Sequence, residues 1–190
     1  MQHEEFSIAT KEWKDQDRMG DWFQTYPMQI QFWPLDPKPE EIFMEDIACS
    51  LSNMCRFTGH VKNFYSVCQH SILVSKLCSP ENALAGLMHD AAEAYMNDIS
   101  RPIKPFLPGF KEIEDNILEM IFIKYDIEWP IPDEIHNIDR KLCITEAKAL
   151  GHDIMQWREY GKTVPFDFEI ESLGPGESAQ LFIHRFNELL

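Results

Sequence analysis

Apolar residues along this chain recur mostly at helical spacing, with one early exception. Met28-Gln29-Ile30-Gln31-Phe32 alternates apolar with polar, the pattern of a short strand. Leu35-Asp36-Pro37-Lys38-Pro39 is an extended, helix-breaking link. From Glu40 to Asn53, Ile42, Ile47 and Leu51 mark the inner face of an amphipathic helix. A second helix spans about Tyr65 to Leu77. Ser79 suits an N-cap and Pro80 a first helical position, opening a third helix that runs to about Asn97. The prolines in Asp98-Ile99-Ser100-Arg101-Pro102-Ile103-Lys104-Pro105 forbid regular helix there, so this segment is a loop. After the turn at Pro108-Gly109, Ile113, Ile117, Met120 and Ile121 form a packing face. Pro130 and Pro132 precede a helix whose stripe is Ile135, Ile138, Leu142 and Ala149. Thr163 to Ile170 alternates in part, as a second strand would, and Glu177 to Leu190 closes the chain as a helix carrying Leu181, Phe182, Phe186 and Leu189. The pattern predicts an all-α bundle with a small β-ribbon near the N-terminus. It reads as a single domain, with residues 1–39 as arm and ribbon and 40–190 as helical core.

Several residues on the inward stripes are polar, and they are the ones with chemistry. His70 falls three residues after Val67 and four before Val74, so it points inward. Asp139 lies four after Ile135 and three before Leu142, and a carboxylate facing a core needs a partner or an ion. Between them comes the adjacent pair His89-Asp90. Two imidazoles and two carboxylates make a mixed nitrogen and oxygen shell, suited to first-row divalent ions rather than calcium. Glu93, four residues after His89, shares its face in an α-helix and can reach water beside such an ion. A second pair, His152-Asp153, follows the helix stop Leu150-Gly151 and reads as surface chemistry without function.

Composition narrows the classes. The 190 residues are enough to bury about 70% of the unfolded chain's surface. Five cysteines, an odd number without Cys-x-x-Cys spacing, argue against a disulfide framework and against a thiolate zinc site. The stretch from Met1 to Asp21 is too polar for a signal peptide, and no apolar run approaches the ~18 residues of a membrane span, so a cytoplasmic protein without a membrane partner is expected. A formal charge of −15 repels a phosphate polymer and counts against a nucleic-acid partner. A small anion could still bind beside local cations. Arg56, Lys62, Arg101 and Lys104 are the candidates, with Lys62 and Arg101 read as solvated surface charges and Arg56 and Lys104 as the better placed. Asp98, in the loop that leaves the third helix, either contacts substrate or caps the helix break.

With His70, His89-Asp90 and Asp139 in this order on helices, the chain resembles the HD-domain phosphohydrolases. It is most similar to the bacterial and phage branch related to the 5′-deoxynucleotidases, through Phe32-Trp33-Pro34-Leu35-Asp36-Pro37, Asp46-Ile47-Ala48, Arg56-Phe57-Thr58-Gly59-His60, Phe64 to Ser71, and His89 to Lys104. The resemblance implies an HD-type helical bundle with His70, His89, Asp90 and Asp139 as ligands of a divalent ion. Manganese or cobalt is implied first, with zinc, iron, nickel or magnesium as further candidates. It also implies that Glu93 orients or activates the attacking water, that Arg56 contacts substrate phosphate, that Asp98 lies near the sugar, and that the protein is a dimer or higher homo-oligomer. Phe57 stands where the deoxynucleotidases carry a tryptophan implicated in rejecting a 2′-hydroxyl, which leaves sugar selectivity open. Cys68-Gln69 replaces the usual small and acidic residues before His70.

The expected activity is metal-assisted hydrolysis of a small nucleotide, with Glu93, Arg56, Asp98 and Lys104 as catalytic groups and Arg56, Phe57, Asp98 and Lys104 contacting substrate. A nucleoside 5′-monophosphate phosphatase is the leading reading. A deoxynucleoside triphosphate hydrolase releasing tripolyphosphate is an alternative, and a catalytically inactive nucleotide-binding sensor is a third from another class. Asp98 is followed by Ile99-Ser100-Arg101, not the Gly-Tyr-Pro of relatives that cut cyclic dinucleotides.

Overall fold

The structure, a computed structural model, describes residues 18–157 and 162–190. Residues 1–17 of the expected arm, and Tyr160 just ahead of the expected second strand, lie outside the described residues. The architecture is mostly helical, with one small antiparallel sheet near the N-terminus. In that sheet β1 (Phe23–Gln24) pairs with β2 (Gln31–Phe32), Phe23 opposite Phe32 and Gln24 opposite Gln31. The strand expected over Met28–Phe32 is confined to Gln31–Phe32, since Met28 is exposed and Gln29 has φ 58°; within those two residues the alternation holds, with Phe32 fully buried and stacked on Tyr95 at 4.0 Å between ring centroids and Gln31 facing outward. Arg18 fastens the ribbon, lying 4.3 Å over the Trp33 ring and pairing with Asp36 at 2.8 Å and with Glu41.

The first long helix, α1 (Met44–Asn53), starts later than the apolar pattern predicts. A single 3-10 turn at Pro39–Glu41 comes first, and Ile42 and Phe43 then run in extended backbone. At the centre is α2 (Val67–Leu77), which touches α1, α3, α6 and α7 and is buried on nearly every face, as expected of a helix sunk inside a bundle. Its start is fixed by Ser66, whose Oγ accepts from the backbone N–H of Gln69 at 3.1 Å. Ser66→Ala is therefore expected to cost about 1 kcal/mol, read as a lower urea midpoint at unchanged slope. An unmoved midpoint would mean the cap contributes nothing.

The third helix of the sequence pattern is not continuous. Ser79 does not cap it with its own side chain; its N–H and Oγ both donate to Glu134, and residues Pro80–Asn82 form a 3-10 turn. Then come α3 (Ala83–Met88) and α4 (Glu93–Met96), separated at the His-Asp pair. The two remaining long internal helices are α5 (Phe110–Lys124) and α6 (Asp133–Ala149). On α6 Ile135 and Leu142 are buried as expected, whereas Ala149 is exposed, because beyond Leu142 the inward face continues through Thr145 and Glu146 instead. The terminal helix α7 (Pro175–Leu189) buries Phe182 and Phe186. One apolar cluster runs from Phe32 and Ile42 through α2 to these two phenylalanines.

The second strand expected at Thr163–Ile170 is absent among the described residues. At Phe166 the neighbour is a helix: its N–H donates to Thr145 Oγ1 at 2.9 Å and Lys141 Nζ lies 4.1 Å over its ring, both from α6. All five cysteines are free. No helix among the described residues is long and apolar enough to cross a membrane.

Candidate metal centre

Three helical elements bring the sequence-predicted ligands to one point. One ligand atom each from His70, His89 and Asp139 lie within 4.8 Å of one another. His70 Nε2 is 3.3 Å from Asp139 Oδ1 and 3.6 Å from Asp90 Oδ2, and His89 Nε2 is 3.2 Å from Asp90 Oδ2. The opposite ring nitrogens fix the tautomers. His89 Nδ1 is 2.8 Å from the carbonyl oxygen of Gly86, which can only accept, so Nδ1 carries the proton. His70 Nδ1 is 2.7 Å from the Glu146 carboxylate and is tied in the same way. Among the described residues both Nε2 atoms are buried without a hydrogen-bond partner, since the nearby carboxylate oxygens lie off the line of a ring N–H bond. Once His70 has given up its Nε2 proton, two nitrogen lone pairs and two carboxylates face each other with no donor among them, an arrangement that a cation satisfies. The residues fit a divalent ion.

The local winding explains how adjacent residues converge. Between α3 and α4 the backbone bonds run three residues back, from Ala91 to Met88, Glu93 to Asp90, Ala94 to Ala91 and Tyr95 to Ala92. Such a turn eclipses residues three apart. Asp90 and Glu93 therefore share a line, in place of the His89 and Glu93 alignment expected of a continuous α-helix. The consequence shows in Glu93: burial, then repulsion by Asp90 and Asp98, hold its carboxyl well above the usual range, against the pull of Lys104 and Arg56. Its Oε2 is buried and unpartnered, while Oε1 lies 3.4 Å from Lys104 Nζ.

The ligand carboxyls behave oppositely. Burial opposes ionisation of Asp90, but His89, His70 and Arg56 outweigh it and hold the group well below the ordinary carboxylate range. Asp139, also opposed by burial, is drawn down to about 2, chiefly by His70. For His70, burial and Arg56 disfavour the charged ring, yet Glu146 and Asp139 prevail and raise its pKa to about 9. An ion must displace that proton from Nε2. Between pH 7 and about 9 manganese affinity is expected to rise about tenfold per pH unit, measured by chelator competition, because one proton leaves per ion bound. A flat profile over that range would contradict the assignment of His70.

Sequence reasoning missed Glu146. It is fully buried on α6, accepts from the Tyr65 hydroxyl at 2.8 Å, holds His70, and places Oε2 3.1 Å from Arg56 Nε. Burial works against its ionisation, and Arg56 and His70 nonetheless lower its pKa. The signal was available: Glu146 is four residues after Leu142 and seven after Asp139, on the same stripe. Arg56 lies against the centre, its Nη1 3.8 Å from Asp90 Oδ2.

Lys104 pairs with Glu114 at 2.9 Å as well as with Glu93, so it braces the acid rather than standing free for substrate. Arg101, read from sequence as a solvated charge, is two-thirds exposed but reaches Asp139, its Nη2 3.5 Å from Oδ2. Asp98 is half-buried at the exit of α4 and acts on Glu93 through charge. The reading of His152 as plain surface chemistry needs correction, since its ring is half-buried against Phe57, with centroids 5.0 Å apart. Asp153 is local, accepting from the Met155 N–H as a cap.

No family model matches the chain. It is similar to the uncharacterized protein YfdR of Escherichia coli (strain K12), 40% identical over 152 residues that cover 79% of this chain and 85% of YfdR. The chain belongs to the YfdR family. It is also 32% identical over 135 residues to the uncharacterized protein RCAP_rcc00048 of Rhodobacter capsulatus, covering 66% of this chain and 69% of that one. These two names in the YfdR family state no activity, so function has to be argued from the chemistry of the site.

Proposed function

We propose that this member of the YfdR family is a metal-dependent phosphohydrolase of the HD-domain kind, releasing phosphate from nucleoside or deoxynucleoside 5′-monophosphates. The observation that carries the reading is the convergence of His70 Nε2, His89 Nε2, Asp90 and Asp139, with both Nε2 atoms lacking a donor or acceptor partner. A divalent ion such as manganese or cobalt, held by those four residues, would supply Lewis acidity that draws charge from a phosphoryl oxygen and acidifies water.

The chain's own residues divide the remaining work. Glu93 Oε2, buried and unpartnered, accepts the proton of the attacking water, while Lys104 on Oε1 keeps the carboxyl oriented and offsets the neighbouring acids. Arg56 faces the phosphoryl oxygens, its guanidinium anchored through Nε by Glu146. Asp98, half-buried at the exit of α4, is the group assigned to the sugar by the resemblance to the deoxynucleotidases. The charge favours a monophosphate over a triphosphate: Lys104, Arg56 and Arg101 each already face a carboxylate, so little cationic charge is left over for additional phosphates.

The test is a panel of nucleoside mono- and triphosphates incubated with purified protein and manganese or cobalt, with products separated by ion-exchange chromatography. Phosphate from monophosphates is expected. Tripolyphosphate would establish the triphosphohydrolase alternative, and tight binding with no product from any nucleotide would establish a sensor.

A further inference from the structure

Beyond Arg56, away from the ligands, three aromatic side chains meet: Phe57 and His152 at 5.0 Å between centroids, His152 and Trp157 at 5.7 Å, and Phe57 and Trp157 at 6.1 Å. Each is half-buried, with Ile144, Ala147 and Ile154 behind them. They are joined to the metal centre without a gap, since the Arg56 guanidinium is 5.6 Å from the Phe57 ring at one end and 3.8 Å from Asp90 at the other.

Two features set this cluster apart from ordinary satellite packing. Phe57, Thr58 and Gly59 all have φ between 54° and 79°, the left-handed region, which is costly for an aromatic and a β-branched residue. Strain of this kind persists where surrounding structure enforces it, and it clusters at ligand sites. Secondly, the middle ring is an imidazole whose Nε2 is buried without a hydrogen-bond partner among the described residues, a polar group that a purely apolar cluster would not need.

From this juxtaposition we infer that Phe57, His152 and Trp157 form the stacking surface for a flat aromatic group carried by the phosphate ester, that is, the nucleobase. The inference rests on the phosphohydrolase reading and extends it. Stacking tolerates any base because each has a π-face, so the surface provides affinity for nucleotides as a class and little choice among bases.

The experiment compares a nucleoside 5′-monophosphate with base-free deoxyribose 5-phosphate, using manganese-loaded parent protein and the variants Trp157→Leu, His152→Leu and Trp157→Phe. Stacking predicts that the two leucine variants raise KM for the nucleotide about tenfold or more with kcat within about twofold, leave kcat/KM for the sugar phosphate unchanged, and that Trp157→Phe restores the nucleotide KM. An unchanged nucleotide KM, or a proportional loss on both substrates, overturns it. Should the parent hydrolyse neither compound, the monophosphatase reading fails by itself, and calorimetric titration of the nucleotide then judges the rings: weaker binding in Trp157→Leu but not in Trp157→Phe supports the stacking surface, and equal binding in all three overturns it.

Discussion

Replacing His89 with alanine is expected to lower metal-dependent phosphate release at least ~1000-fold, equivalent to about 4 kcal/mol of transition-state stabilisation. The reasoning is geometric. His89 Nε2 is held toward Asp90 because Nδ1 is fastened to the Gly86 carbonyl, so the ring is an oriented donor and not a mobile side chain. Its removal leaves Asp90 and Asp139 facing His70 with no second imidazole, and three carboxylate and imidazole groups hold a divalent ion far less well than four. Circular dichroism of the variant should remain that of the parent, because the lost ring lies at the junction between α3 and α4 and not in the apolar cluster. Turnover within a few-fold of the parent at saturating manganese would remove His89 from the centre.

The second large effect is on stability. Glu146→Leu is expected to cost about 3–5 kcal/mol, because it strands the buried Arg56 guanidinium without its carboxylate and strips partners from Tyr65 and His70. Urea unfolding of the metal-free protein measures this directly, and a midpoint equal to the parent's would show that the network is not coupled to folding. The same substitution frees the His70 ring to rotate, so manganese affinity in whatever fraction folds should fall roughly 10–100-fold. Pairing Glu146→Leu with Arg56→Met in a double-mutant cycle separates the two contributions. If the stranded guanidinium is the main cost, the double variant recovers stability and still binds metal weakly.

The positions of His70 and Asp139 were legible because helical spacing reports which face is buried, and both sit on stripes that the bundle does bury. The ribbon at Phe23–Gln24 and Gln31–Phe32 was legible through alternation, at least for its second strand. What the pattern could not show follows from interactions between distant segments. Glu146 carries the same stripe position as Asp139, so its inward face is readable from spacing, but nothing local reveals that Arg56, His70 and Tyr65 surround it. Thr163–Ile170 alternates in part, yet alternation is a property of one segment and a strand requires a second; among the described residues Phe166 meets Thr145 and Lys141 of a helix. Ser79 had the composition of a cap and instead bonds to Glu134, 55 residues away.

The turn between α3 and α4 has a consequence for how such centres are recognised. Wound three residues to the turn, it swings each successive side chain further than an ordinary α-helix would, and that extra swing sets Glu93 in line with Asp90 instead of with His89. The letters His-Asp are thus only half of the motif; the pitch of the backbone beneath them is the other half. A polypeptide can spell the pair and lack the pitch, as residues 152 and 153 of this one do.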